Sequence, residues 1–229
     1  MALALAAEGA RVALVARPSE SLRALVSQIQ AAGGVAEAFP ADVTSESEIE
    51  GACRGIAARF GEVNILVNNA GINVRKSIVE LTVEDWHRVM DTNVTSAFLM
   101  CRMLLPHMRG RGYGRILNMT SIMSHVSMAN RVAYSASKAA LLGLTRSLAL
   151  ELAPEAITVN GISPGPFVTE MTRPLMDDAA LNAQMVGNIP LGRWGKPEEI
   201  GQLAVYLCSD EAGFITGTDI LIDGGWTAR

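Results

Sequence analysis

Cysteine, histidine and charge are all scarce in this sequence. The three cysteines, Cys53, Cys101 and Cys208, are scattered, odd in number and free of any C-x-x-C pair. Such a set cannot make a disulfide framework and points to reduced thiols in a cytoplasmic protein. The three histidines have no metal spacing, so no metal is expected. Charged residues make up 18%, and 19 Lys and Arg against 23 Asp and Glu leave a net charge of −4. That balance gives no electrostatic reason to expect nucleic acid or an anionic membrane as partner. Its one local exception, Arg102, Arg109, Arg111 and Arg115, is expected to be a solvated helix end. No apolar run approaches the roughly 18 residues of a membrane span. The opening MALALAA lacks a basic leader, and Glu8 and Arg11 follow at once, so no signal peptide is expected.

What the chain has in quantity is apolar residues, 49% of 229, enough for one domain with a sizeable core. They fall in alternating strand and helix patterns. Residues 11–16 (RVALVA), 35–39, 64–68 (NILVN), 114–119 (GRILNM), 156–162 (AITVNGI) and 219–222 are short apolar runs expected to be buried strands. Helical periodicity covers residues 20–32, 45–60, about 82–105, 133–152 and 197–207. Ser45-x-x-Glu48 and Thr82-x-x-Asp85 mark two helix starts. Residues 164–190 look irregular, and a loop that long tends to cover a site. The alternation implies an α/β fold, a doubly wound parallel sheet with helices on both faces. Ligands in such folds sit at the carboxyl ends of the strands.

Polar and backbone-permissive residues gather at those ends. Arg17 follows the first run, Asp42 and Val43 the second, Asn69, Ala70 and Gly71 the third, Ser121 the fourth, and Pro164 and Gly165 the fifth. The most informative stretch is YSASK. Tyr134 and Lys138 stand four apart, on one face of a helix. A free phenol titrates near ~10, and a nearby ammonium favours its phenolate. Such a pair can pass a proton to or from an alcohol oxygen, with the Ser121 hydroxyl holding that oxygen.

NNAG, a serine thirteen residues before the tyrosine, YSASK, SPGPFVT and the closing TGTDILIDGGW occur in that order. Together they resemble the short-chain dehydrogenase/reductase family over nearly the whole chain. The resemblance implies a Rossmann-like, NAD(P)-dependent oxidoreductase acting between a secondary alcohol and a ketone. It implies that Tyr134 is the general acid/base, that Lys138 lowers its pKa and binds the nicotinamide ribose, and that Ser121 orients the substrate oxygen. It makes Asn93 the holder of a water in the proton relay. Asn69, Ala70 and Gly71 would line the adenosine and ribose, Asp42 would bond adenine with Val43 beside it, and Pro164, Gly165, Phe167 and Thr169 would run along the nicotinamide. Phe167 would act there through its backbone, with little weight on its side chain.

An acidic residue after the second strand would favour a ribose 2′-hydroxyl; here Ala16 is followed by Arg17. A guanidinium suits a 2′-phosphate, so NADP(H) is expected to be preferred over NAD(H). The small-molecule substrate should lie near Asn73, Arg75 and His125, where Arg75 could meet a carboxylate. NNAGINVRK, IPLGRWG and DGGWTAR look like stretches of gluconate and keto-deoxygluconate dehydrogenases, so a sugar acid is expected. A 3-oxoacyl thioester is the alternative. The helices at about 83–105 and 133–152 imply a homo-oligomer, a dimer or tetramer.

One family feature is missing. Members begin with a strand and a turn T-G-x-x-x-G-x-G that brings backbone N–H groups to the pyrophosphate. MALALAAEG resembles the later part of the first helix, with Gly9 at its end. Residues 1–229 are thus expected to be a single dinucleotide-binding domain, incomplete at its amino end, with 165–190 as its substrate loop. Without the central strand two inner edges would be left unpaired, about 9.6 Å apart. The chain then reads as an incomplete form of an active enzyme, as a natural chain with a remodelled pocket, or as a non-catalytic scaffold unable to bind cofactor.

Overall fold

The computed structural model describes residues 1–170 and 172–228. Six strands and nine α-helices alternate along them. The strands are β1 (Val12–Ala16), β2 (Ala36–Pro40), β3 (Ile65–Asn68), β4 (Gly114–Met119), β5 (Ile157–Pro164) and β6 (Asp219–Ile222). The helices are α1 (Ala2–Ala7), α2 (Glu20–Ala31), α3 (Glu46–Phe60), α4 (Val83–Met90), α5 (Ser96–Met108), α6 (Val132–Leu152), α7 (Arg173–Asp177), α8 (Ala179–Gly187) and α9 (Pro197–Cys208). All strand pairs are parallel. The expected α/β architecture is therefore present.

The strands form two sheets. β1 pairs only with β2, while β3, β4, β5 and β6 make a continuous four-stranded sheet. Among the described residues no strand stands between β1 and β3, and the two do not hydrogen-bond to each other. The two inner edges have not closed upon each other. Burial follows this division. Every residue of β4 is buried, and every residue of β5 up to Ser163, whereas β1 is half-buried throughout.

Alternation along β4 shows how the sheet is covered. Ile116 joins Ile49, Leu66, Leu104, Leu152 and Val159 on one face. Leu117 joins Met119, Ile162, Ala204 and Leu207 on the other, where Met1 and Leu5 also pack. Successive side chains point to opposite faces, so the adjacent Ile116 and Leu117 are both buried only because helices cover both faces. All three thiols are free and buried, and burial pushes each up to about 11.

Local chemistry sets the helix starts. Ser45 accepts from the Glu48 amide and Thr82 from the Asp85 amide, as capping geometry dictates. Gly9, at φ 88°, follows the end of α1 in a conformation open to glycine. Three expectations need correction. The helix over 82–105 is not one α-helix: a π-helical turn, Asp91–Thr95, separates α4 from α5. The irregular segment over 164–190 holds α7 and α8, the latter capped by Asp178 through the amides of Ala180 and Leu181. Met171 in that segment lies outside the described residues. The arginines at 102–115 are not all solvated. Arg102, Arg109 and Arg111 pair with Glu46, Glu151 and Glu155, and Glu62. Arg115 is buried, donating to the carbonyls of Gly114 and Ser209.

Candidate active site

The carboxyl end of the four-stranded sheet collects Ser121, Tyr134, Lys138 and Asn93. Ser121 follows β4 and opens a 3-10 turn, its Oγ accepting from the Met123 amide at 3.1 Å. Its side chain lies close enough to the Tyr134 phenol to pull the phenol's pKa down. Tyr134 and Lys138 share one face of α6, with Nζ 5.7 Å from the phenol ring centroid. Lys138 is buried and donates to the Met119 carbonyl at 2.5 Å. With no carboxylate beside it, burial pulls its pKa down to about 8.

The phenol shifts the other way from the expectation. Burial raises the Tyr134 pKa, and the Ser121 hydrogen bond and the Arg131 charge oppose that rise. Arg131 is the N-cap of α6, one turn before the tyrosine. The sequence reading passed over it; the i, i+3 spacing to Tyr134 was the available signal.

Asn93 lies in the π-helical turn and is almost fully buried. Its Oδ1 accepts from the Ile72 amide at 2.8 Å, and its Nδ2 donates to the Ile72 carbonyl and to Ser137 Oγ. Both amide protons are thus used on the protein, clamping the loop after β3 to α6. π-Turns recur at functional sites because the extra residue re-aims a side chain.

A second polar group, unread in the sequence, stands behind Ser121. Asp219 of β6 accepts from Thr120 Oγ1 at 2.6 Å and from Ser163 Oγ at 2.5 Å, and lies 2.6 Å from His125 Nε2. Ser163 Oγ is also 2.9 Å from the Ser121 carbonyl. The carboxylate fits only because residue 161 is glycine: a Cβ there would stand 2.0 Å from Asp219 Oδ1. A charged residue starting an apolar strand was the signal. His125, expected near substrate, is therefore engaged with Asp219.

Cofactor-side expectations fall in two places. Around the catalytic set, Asn69, Ala70 and Gly71 are exposed at the end of β3. A Cβ on Gly71 would be 3.4 Å from Lys138 Nζ and 3.5 Å from Asn93 Oδ1, so this is a cradle kept open beside both. Pro164 ends β5, and the Gly165 amide donates to Ile222. Thr169 is exposed. Phe167 is buried against Gly195, where a Cβ would meet its ring at 2.5 Å. Its side chain matters for packing, contrary to the expectation. Around the two-stranded sheet, Arg17 is exposed after β1, and Val43 packs on the core. Asp42 Oδ1 accepts from the Thr44 amide and hydroxyl. Those bonds, with a smaller contribution from Arg17, hold the Asp42 carboxyl below its usual range. An open cradle at Gly71, a cation at Lys138 and a guanidinium at Arg17 suit a phosphorylated dinucleotide. Arg75 is exposed, and Asn73 Oδ1 is buried without a partner.

Among the described residues no helix is long and apolar enough to cross a membrane, and no cluster of His, Cys, Asp and Glu is placed to hold a metal.

Comparison with known proteins agrees with this chemistry. The family described as Enoyl-(Acyl carrier protein) reductase matches residues 1–227. Acetoacetyl-CoA reductase of Rhizobium meliloti (strain 1021) is 45% identical over 185 residues, 80% of this chain and 76% of that protein. A gluconate 5-dehydrogenase from Burkholderia cenocepacia J2315, solved in complex with NADP and tartrate, superposes with a TM-score of 0.94 at 33% identity, covering 100% of this chain and 89% of that one. A short-chain dehydrogenase/reductase from Serratia marcescens BCRC 10948 gives 0.92 at 37% identity, covering 98% and 91%. With a serine beside a phenol, a buried lysine and a parallel sheet already in place, these matches show that the chain belongs to the short-chain dehydrogenase/reductase family, oxidoreductases acting between secondary alcohols and ketones with NAD(P).

Proposed function

We propose that this chain is an NADP(H)-preferring oxidoreductase of a sugar acid. The observation that carries the reading is Ser121 beside the Tyr134 phenol, on the face where Lys138 Nζ stands 5.7 Å from the ring centroid. When bound, the nicotinamide supplies or accepts the hydride. Ser121 holds the substrate oxygen beside the phenol. Tyr134, its pKa raised by burial, carries its proton through the neutral range and donates it to a carbonyl oxygen undergoing reduction. Lys138, fixed by the Met119 carbonyl beside Gly71, holds the ribose hydroxyls. Asn93 keeps the loop at 69–73 against α6 and holds the water of the relay through its Oδ1. Asn69, Ala70, Asp42 and Val43 line the adenosine, and Pro164, Gly165, Phe167 and Thr169 the nicotinamide. Arg17 meets the 2′-phosphate, which sets NADP(H) above NAD(H).

The sugar-acid reading is supported by the gluconate 5-dehydrogenase likeness. A 3-oxoacyl thioester is the second reading, favoured by the acetoacetyl-CoA reductase relative. Turnover of keto sugar acids and of acetoacetyl-CoA with NADPH, side by side, separates them. Absence of both, in a protein that melts cooperatively, would leave the scaffold role. We further infer that residues 1–229 act as one dinucleotide-binding unit, covered by 165–190. It assembles as a dimer or tetramer through exposed apolar side chains such as Phe98 and Leu150, and it works in the cytoplasm, where its three thiols stay reduced.

A further inference from the structure

Arg131 is a cation without an anion. Its Nη1 is buried and has no hydrogen-bond partner. The charged and titratable groups acting on it are Arg75, a like charge, and Tyr134, whose phenolate would favour its protonated form. Burial and Arg75 both make the charged guanidinium costly where it stands. The residue as a whole is half-buried, but its one buried donor left unmade is destabilising, and a ligand that completed it would be favoured.

The missing partner must be anionic, planar and small enough to enter beside the phenol. A carboxylate meets all three requirements, and the guanidinium fork matches its two oxygens. Arg131 precedes Tyr134 by three residues on α6, a rise of about 4.5 Å. A carboxylate on Arg131 and a reacting oxygen at Tyr134 therefore belong to one molecule, a few carbons apart. Arg75 lies in the loop after β3, two residues past Asn73, whose Oδ1 is a buried acceptor without a donor. Ser124 Oγ, three residues past Ser121, is likewise buried and unpartnered. We propose that Arg131, together with Arg75, binds the substrate carboxylate, making this site select oxo and hydroxy acids over neutral ketones and thioesters. The inference rests on the oxidoreductase reading for its reacting carbon, but its binding half stands apart from turnover.

The test uses tartrate and its uncharged diamide, tartramide, titrated calorimetrically into the protein with and without NADPH. The wild type is expected to bind tartrate about 10- to 100-fold more tightly than tartramide. Arg131→Met should erase that ratio, and Arg131→Lys should restore part of it, keeping the charge but losing the fork. Because it removes a half-buried cation whose Nη1 has no partner, Arg131→Met should melt no lower than the wild type. Equal binding of the two probes by the wild type, a ratio that survives Arg131→Met, or a marked fall in melting temperature would overturn the proposal. If the ratio depends on Arg131 yet no secondary alcohol is oxidised with NADP, the carboxylate site stands and the oxidoreductase reading falls. If alcohols are oxidised but the probes bind alike, the reverse holds.

Discussion

The two sheets of this molecule are built from similar strands yet sit in different surroundings. β4 and β5 have neighbours on both edges and helices on both faces, and nearly all their residues are buried. β1 has one neighbour, and all five of its residues are half-buried. The groups proposed to hold the substrate oxygen and to move the proton, Ser121 and Tyr134, lie at the end of the first pair or pack on it. The group proposed to choose the cofactor, Arg17, lies at the end of β1. Precise placement of a hydroxyl against a phenol needs a rigid support, whereas attraction of a phosphate by a guanidinium acts over a longer range. The division teaches that chemistry and cofactor choice in this chain can be perturbed separately.

The largest expected effect strikes the chemical half. Tyr134→Phe removes the proton donor and should lower kcat by about 10²- to 10⁴-fold. Steady-state rates with a keto sugar acid check it, and retained turnover would refute the role. Next comes packing. Ile116→Ala, at a fully buried position of β4, should cost about 2–5 kcal/mol. Leu14→Ala in half-buried β1 should cost clearly less, and equal losses in denaturant titration would break the comparison.

Lys138 gives the third test. Its folded pKa is about 8, against an ordinary 10.5. Below about 8 both states hold the proton, and the burial cost is present in full. Between about 8 and 10.5 the folded state releases the proton while the unfolded state keeps it, so stability rises with pH across that window. The gain is on the order of 3 kcal/mol. Lys138→Met should be more stable than the wild type at neutral pH, lose turnover, and show no such rise. A wild type and variant with parallel pH–stability curves would contradict the assignment. The smallest effect concerns dynamics. Amides of β1 should exchange hydrogen faster than those of β4 and β5, because one unpaired edge opens locally.

Much of this architecture was legible because its causes are local. Val- and Leu-rich runs of four to eight residues gave the strands, and Ser45 and Thr82 gave helix starts through caps that need only three residues of sequence. The Tyr134–Lys138 pair was visible for the same reason, since i, i+4 spacing fixes a shared helix face. What was illegible depends on distant partners. A single inserted residue makes the π-turn at Asp91–Thr95, and it barely disturbs helical periodicity. The Asp219 cluster draws on residues 120, 125, 163 and 219, joined only by folding. The balance of burial against charge at Tyr134 likewise depends on what surrounds α6, Ser121 and Arg131 among it.

The most direct test of the divided site is steady-state kinetics of Arg17→Asp and Tyr134→Phe with NADPH and NADH in parallel. The account predicts that Arg17→Asp lowers kcat/KM about 10- to 100-fold with NADPH, far more than with NADH. Tyr134→Phe should lower kcat with both cofactors alike while leaving their affinities in place. Equal losses with both cofactors in Arg17→Asp, or a Tyr134→Phe defect that lies in cofactor affinity rather than in kcat, would contradict it.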